Sequence, residues 1–274
     1  MCIRDSFIQL TSGDVDFADF DETVISPKLA AHYEINETYA IFGSVARTER
    51  APTLDELFSF TPAGTLFGVP TAGEPNSPDL TAETAVSYEF GASASYLGIA
   101  TSDDALDIKA TAFFSDIDDL IARDSREGTA YNRNIDQSEI YGIEIEAAYE
   151  SDRVFGRLAY ADVRGTDLET DETLSSIPAR NLHLTIGGRN EDVGLEYGWE
   201  AAIFDSIETE EGEFSGYAEH DIFVDWEPQD GGLEGFEVSF RVNNLFDREF
   251  QNNLAGDPGQ GRSYEISLVR TYEF

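Results

Sequence analysis

The chain offers three histidines, His32, His183 and His220, as its only imidazoles, and they fall in three separate segments with no zinc-type spacing. His183 lies among alternating apolar neighbours on the polar side of its segment, where it could meet a ligand or serve as a hydrogen-bonded structural residue. Acidic clusters at Asp116, Asp118 and Asp119, and at Asp167, Glu169, Asp171 and Glu172, lack the glycine and terminal glutamate of a calcium loop and read as solvated loops. There is no serine elbow, phosphate loop or dinucleotide fingerprint, so the sequence reads as a non-enzyme and implies no cofactor and no bound metal. What remains is binding chemistry. Arg123, Arg126 and Arg133 gather scarce positive charge in one stretch, which suits an anionic ligand or salt bridges to acidic neighbours. Phe58, Phe60 and Phe67 offer rings to a planar ligand, or pack their own loop. Arg50 and Tyr131, beside these two stretches, complete the candidate ligand contacts.

Those residues must be positioned by strands. Val86, Tyr88, Phe90, Ala92 and Ala94 share one face of a period-two segment, and Ser87, Glu89, Gly91 and Ser93 the other. The same alternation runs through Leu106–Ser115, Ile143–Glu150, Asn181–Ile186, Leu195–Ile203, Asp221–Trp226, Phe236–Asn243 and Tyr264–Leu268. Pro27–Tyr33 and Tyr39–Arg47 are less regular candidates. Altogether about 11 strands are expected, with Phe7–Phe17 a possible twelfth. A strand with one apolar and one polar face sits between two environments: a second sheet and water, or lipid and a polar lumen.

The connections favour the second. Short links at Glu34–Glu37, Glu150–Arg153, Asn190–Val193 and Glu227–Glu234 alternate with long ones at Thr48–Thr81, Asp118–Gln137, Gly165–Pro178, Asp205–Gly216 and Leu245–Arg262. Such alternation puts every tight turn at one end of a sheet and every long loop at the other, as in outer-membrane barrels. Seventeen Lys and Arg against 55 Asp and Glu, a formal net charge of -38, argue against a nucleic-acid partner. With 41% hydrophobic residues the chain is too apolar for a disordered acidic tail. Cys2 is the single cysteine, so no disulfide framework is expected within the chain. No apolar run is long enough for a membrane helix, which leaves strands as the crossing elements. Met1–Ser6 has no signal-peptide plan and reads as non-native, with the true start expected upstream and residues 1–23 left without a firm assignment.

ARTERAPTLDELF, NSPDLTAETAVSYEFG, AFFSDIDDLI, NIDQSEIYGIEIEAAY, VNNLFDREF and GRSYEISLVRTYEF, in that order, resemble stretches of TonB-dependent outer-membrane receptors. ARTERAPTLDELF (Ala46–Phe58) resembles the family's "FRAP" box, with Glu49 in place of the usual aromatic. NSPDLTAETAVSYEFG (Asn76–Gly91) resembles its "NP.L.PE...YE.G" box, with Ala82 where proline is common. AFFSDIDDLI (Ala112–Ile121), NIDQSEIYGIEIEAAY (Asn134–Tyr149), VNNLFDREF (Val242–Phe250) and GRSYEISLVRTYEF (Gly261–Phe274) follow in family order.

The resemblance covers nearly everything from Ser26 onward and implies an all-β, antiparallel up-and-down transmembrane barrel in the cell outer membrane, of which residues 1–274 would form the C-terminal half. Taken alone, such a half is expected as an open curved sheet. The resemblance further implies import of an iron complex, ferric siderophore or haem, driven by the TonB–ExbB–ExbD complex through an N-terminal part and a plug domain not visible in this sequence. Outer-membrane lipid is an implied partner, as is the barrel-assembly machinery, which in the family reads a terminal aromatic strand: Tyr272 and Phe274 fit, while Arg270 departs from the pattern. The paired boxes look most like the haem and haemoglobin branch, where a histidine in the loop between them contributes to capture. Between Thr53 and Pro75 this sequence has none. Two rivals share parts of the pattern: a passive porin-like channel, and a soluble acidic β-protein whose apolar stripes would form an internal core.

Overall fold

The computed structural model describes residues 2–10, 15–58, 64–66, 69–71, 77, 79–124, 131–209, 212–228, 231–255 and 257–271. Its strands are Cys2–Leu10 (β1), Val15–Thr23 (β2), Lys28–Glu34 (β3), Tyr39–Arg50 (β4), Gly64–Leu66 (β5), Val69–Thr71 (β6), Glu83–Leu97 (β7), Ala105–Asp124 (β8) and Tyr131–Glu150 (β9). They continue with Val154–Asp167 (β10), Glu172–Thr173 (β11), Asn181–Asn190 (β12), Leu195–Phe204 (β13), Ile207–Thr209 (β14), Gly212–Phe214 (β15), Tyr217–Trp226 (β16), Phe236–Asn243 (β17) and Ser263–Arg270 (β18). One short helix, Leu54–Phe58 (α1), follows β4. Among the described residues no helix is long and apolar enough to cross a membrane.

Eleven strands form one antiparallel path, β18-β17-β16-β13-β12-β10-β9-β8-β7-β4-β3, in which each long strand pairs with its sequence neighbours, and the two-residue β11 attaches to β10. The expected up-and-down order and strand number are therefore present, as an open sheet. The Phe7–Phe17 segment does not form one further strand. It is divided between β1 and β2, which pair with each other from Cys2↔Thr23 to Leu10↔Val15 as a separate hairpin.

Register fixes the faces. Tyr39↔Ala94, Ile41↔Ala92 and Val45↔Tyr88 place the apolar residues of β4 and β7 side by side, and Ile108↔Ala147, Ala112↔Ile143 and Phe114↔Tyr141 continue that face across β8 and β9. It runs on through Leu158↔Leu184, Ile186↔Trp199, Val224↔Phe240 and Phe240↔Ile266. Among the described residues no second layer covers it: Leu29 is 72% exposed, Phe90 62%, Ile186 53% and Ile266 77%. Each such side chain left in water forgoes about 1.5–3 kcal/mol of burial, so a continuous face of them requires an apolar medium. The soluble alternative, whose apolar stripes would be an internal core, is therefore not favoured.

The opposite face is polar and unusually rich in glycine–aromatic contacts. Phe42 lies across Gly91, Phe155 across Gly187 and Phe223 across Gly198, each so closely that a Cβ on the glycine would come within 2.1, 2.1 and 2.6 Å of the ring. A cation covers each ring in turn: Lys109 over Phe42 at 5.6 Å, Arg189 over Phe155 at 4.8 Å and Arg241 over Phe223 at 5.1 Å. Glycine weakens a strand, and a neighbouring ring laid over it restores the lost packing.

The connections alternate as expected, with a fifth tight turn at residues 98–104 that the sequence reading passed over. The Asp118–Gln137 stretch, expected as a loop, is mostly strand. β8 and β9 pair onward through Leu120↔Ile135 to Asp124↔Tyr131, because Leu120, Ile121 and Ile135 supply apolar partners there. At 20 residues each, β8 and β9 are about twice the roughly 9–11 residues needed to cross a bilayer, so they project beyond it. The other long connections carry the small hairpins β5–β6 and β14–β15.

Candidate ligand-binding region at the loop end

Among the described residues, long connections converge on a small apolar core. Ile135, Leu174 and Ile177 are buried to 3% exposure or less, with Leu120, Ile140, Val163 and Ile207 packed against them. Gly165 makes room, since a Cβ there would come within 2.5 Å of Ile177.

The two family-like boxes meet through Arg50. Its Nε and Nη2 donate to Glu83 at 2.7 and 3.0 Å, and its Nη1 donates to Glu56 at 2.8 and 3.1 Å. The Glu83 hydrogen bond, ahead of the opposing cost of burial, raises the Arg50 pKa further above its ordinary value. Thr53 and Glu56 form a capping box at the start of α1: the Thr53 N–H donates to Glu56 Oε2 at 2.7 Å, and the Glu56 N–H donates to Thr53 Oγ1 at 3.3 Å. Burial pushes the Glu56 carboxyl up, but bonds from Arg50 and Thr53 outweigh it and leave the group below its usual value. Asn132 donates to the Glu56 carbonyl at 2.9 Å, and Asn134 both donates to the Thr81 carbonyl at 3.1 Å and accepts from its N–H at 2.9 Å. The stretch around Ala51-Pro52, the segment before β7 and the β9 arm are thus tied into one body.

A second knot follows β17. Asn244, 1% exposed and in the left-handed region at φ 49°, donates to the carbonyls of Arg248 and Gln260 at 2.8 and 3.0 Å, and accepts from the Arg248 N–H at 2.8 Å. The Asn244 N–H donates to Asp221 at 2.7 Å. Further along, Asn253 donates to the Ile177 carbonyl at 2.7 Å and accepts from the Ala179 N–H at 3.2 Å, joining the β17–β18 connection to the β10–β12 connection.

The sequence-derived candidates disperse. Arg50 has its donors committed to two carboxylates. Phe58 is half-buried at the end of α1. Arg123 and Arg133 are on the projecting arms and not in a loop; the register pairs Arg123↔Asn132 and Ala122↔Arg133, so the two arginines lie on opposite faces. Arg133 reaches the buried carboxylate of Asp167 at 3.4 Å, and that carboxylate also accepts from the Glu169 N–H at 2.9 Å. Tyr131 begins β9. Phe60, Phe67, Arg126, Tyr272 and Phe274 lie outside the described residues. Among the described residues no three His, Cys, Asp or Glu side chains converge as a metal site.

His183 is on the polar face, opposite Ala159 on one side and Ala202 on the other. Its ring meets Phe204 edge to face at 5.6 Å; Phe204 stacks on Tyr217 at 4.7 Å, and Tyr217 on Phe250 at 4.4 Å. The sequence reading missed these three rings, although aromatics at the two strand ends bordering residues 205–216 were a usable signal. His220 is on the other face, stacked on Trp199 at 5.5 Å and edge-on to Phe246 at 5.1 Å. A cleft of about 500 Å³ is at the opposite end of the sheet, among the tight turns, lined by Arg189, Glu196, Asp225 and Trp226.

Comparisons with known proteins agree with this architecture. Residues 5–245 match the family model described as "TonB dependent receptor-like, beta-barrel". The chain is 26% identical to a TonB-dependent heme receptor A of Haemophilus ducreyi over 90% of its own length and 38% of the relative's. It is equally, 26%, identical to a hemin receptor of Yersinia pestis, over 93% of its own length and 39% of the relative's. It thus spans about two fifths of the length of these relatives. Among solved structures it resembles the copper transporter OprC (TM-score 0.73, 18% identity, 93% of this chain and 41% of that one). A mutant of the ferric enterobactin receptor of Pseudomonas aeruginosa is also similar (TM-score 0.68, 17% identity, 93% and 40%). Strand order, exposed apolar face and family match converge: this chain belongs to the TonB-dependent receptors, as part of the β-barrel of an outer-membrane protein.

Proposed function

We propose that the complete protein bearing this barrel imports an iron complex across the outer membrane, driven by TonB, and that the complex is haem. The match of residues 5–245 to the receptor barrel carries the first part. The relatives named for haem and hemin carry the second. The likeness to copper and ferric enterobactin transporters supports the fold alone. A ferric siderophore is the competing cargo, since the loop between Thr53 and Pro75 has no histidine.

In this reading the outer loops and projecting arms capture the ligand. Phe58, Phe60, Phe67 and Tyr131 supply apolar and aromatic surface, Arg123 and Arg126 supply positive charge, Arg133 braces the β9 arm through Asp167, and Arg50 braces the loop that presents the phenylalanines. Lipid covers the apolar face, and Tyr272 and Phe274 serve as the signal to the barrel-assembly machinery. Growth of an iron-starved host expressing the complete gene, with haem or a ferric siderophore as sole iron source, tests the proposal. Haem-dependent growth that disappears when TonB is deleted is the expected result; growth that persists without TonB would favour a passive channel and overturn it.

A further inference from the structure

We infer that His183 and the ring column beside it form a lumenal way-station for a flat metal macrocycle, with the imidazole ligating the metal and the ring edges bounding the macrocycle on one side. The inference rests on the haem reading above. Three features of the wall point to it.

His183 is exposed, and neither of its ring nitrogens has a hydrogen-bond partner among the described residues. The wall around it is low: Ala159 and Ala202 stand directly opposite on both neighbouring strands, and Ala161 is one rung away. With strands about 4.8 Å apart, β10, β12 and β13 together offer a floor about 10 Å wide, matching the core of a macrocycle. The first long side chains on the two flanks are Glu146, beyond Ala159, and Glu219, beyond Ala202.

The third feature is orientation. Phe204 holds the imidazole edge-on, and Phe204, Tyr217 and Phe250 are nearly parallel, each pair tilted by 18°. The far end of the stack is closed by Gly259, where a Cβ would fall within 2.3 Å of the Phe250 ring. The faces of the rings are therefore occupied by one another, and their edges line the lumen. Phe250 belongs to the connection that Asn253 fastens to Ile177 and Ala179, so the column joins the tied outer mouth to the His183 rung.

This chemistry selects among iron complexes. A metal macrocycle leaves its axial positions open to an imidazole, whereas a hexadentate siderophore encloses the iron and offers none. Neutral imidazole nitrogen is a competent iron ligand.

The test uses the complete receptor in detergent, titrated with ferric protoporphyrin IX and, separately, with iron-free protoporphyrin IX, following visible absorption and protein fluorescence. His183→Ala is expected to weaken the iron porphyrin by about 10-fold or more and to shift its Soret band. The same variant should leave the iron-free porphyrin within about 2-fold. Phe204→Leu should weaken both by about 3-fold. His183→Gln, which keeps the polarity and lacks the ligating nitrogen, should repeat the His183→Ala result, and unchanged heat-modifiable migration shows that the barrel is intact. If the wild type binds and imports haem while His183→Ala keeps both affinity and spectrum, the way-station is wrong and the import reading survives. If the wild type neither binds nor imports haem, both fall.

Discussion

The two ends of this sheet solve the problem of stopping strands in opposite ways. At the loop end the chain builds what a soluble protein would: a small apolar core of Ile135, Leu174 and Ile177, buried asparagines, and salt bridges from Arg50. At the turn end the described residues hold little core: several turns are closed by their own backbone and one polar side chain, and single bonds such as Glu227 N–H to the Gly194 carbonyl at 2.7 Å link one turn to the next. Asp104, 1% exposed, accepts from the N–H groups of Ile99, Ala100 and Thr101 at 2.6, 2.8 and 2.9 Å and from the Tyr149 hydroxyl at 2.9 Å. Asn190 caps the single turn Glu191–Val193, which ends at Gly194 in the left-handed region. The difference teaches that long-range contacts accumulate where specificity is needed, whereas tight turns need only be locally self-sufficient.

Asn244→Ala should be the most severe way to break the loop end. It removes three hydrogen bonds at a site that is 1% exposed, costing about 2–4 kcal/mol locally. Limited proteolysis should then cut within residues 245–262 while the strands stay protected. Simultaneous loss of strand protection would show that the loop knot and the wall are one cooperative unit, contrary to the contrast drawn here.

Arg50→Ala sharpens the same end more mildly. Its partners Glu56 and Glu83 are left without their cation, at about 1–2 kcal/mol once the partial exposure of the pair is allowed for. Hydrogen exchange should speed up at the amides of Ile121, which donates to Glu83, and of Leu57 in α1, with no change at residues 98–104.

At the turn end, Gly194→Ala forces a Cβ into the left-handed backbone at φ 64°, a penalty of about 1 kcal/mol. Residues 190–195 should lose exchange protection, together with Glu227, whose amide donates to the Gly194 carbonyl at 2.7 Å, and no others. Spread of that loss beyond Glu227 into the adjacent turns would mean that the tight turns are coupled after all.

The smallest effect is silent at neutral pH. Burial pushes the Asp104 carboxyl up, but the three N–H donors and Tyr149 outweigh it and bring its pKa to about 2, below the ordinary 3.8. The folded state therefore holds the carboxylate more tightly than the unfolded one. Its stabilisation is complete above about pH 4 and fades as pH falls towards 2. Amide protection at Ile99–Thr101 should show that acid transition, and Asp104→Asn should abolish it.

Much of the wall was legible because period-two alternation is a one-dimensional signal: Val86–Ala94 and Tyr264–Leu268 announce their faces without any knowledge of their partners. The projecting arms were not. Asp116, Asp118 and Asp119 look like loop residues, yet β8 runs straight through them, with Asp119 turned to φ 57°. A charged stretch extends as a strand when its neighbour pairs with it, and that neighbour lies further along the chain. The candidate ligand contacts were legible only as residue types. Arg123 and Arg133 read as one patch, but register sends them to opposite faces; Arg50 read as a ligand contact, and its donors are committed to Glu56 and Glu83.

By itself, then, the sequence determined that this chain is a set of two-faced strands with all its long connections on one side, because alternation and connection length are local properties. Only the tertiary structure decided which side chains meet: that Asn253 reaches Ile177, that Arg50 joins two distant boxes, and that His183 stands at the foot of a column of rings. These contacts arise from strand register and from loops crossing several strands, and no local pattern encodes a distance between segments that are neighbours only after pairing.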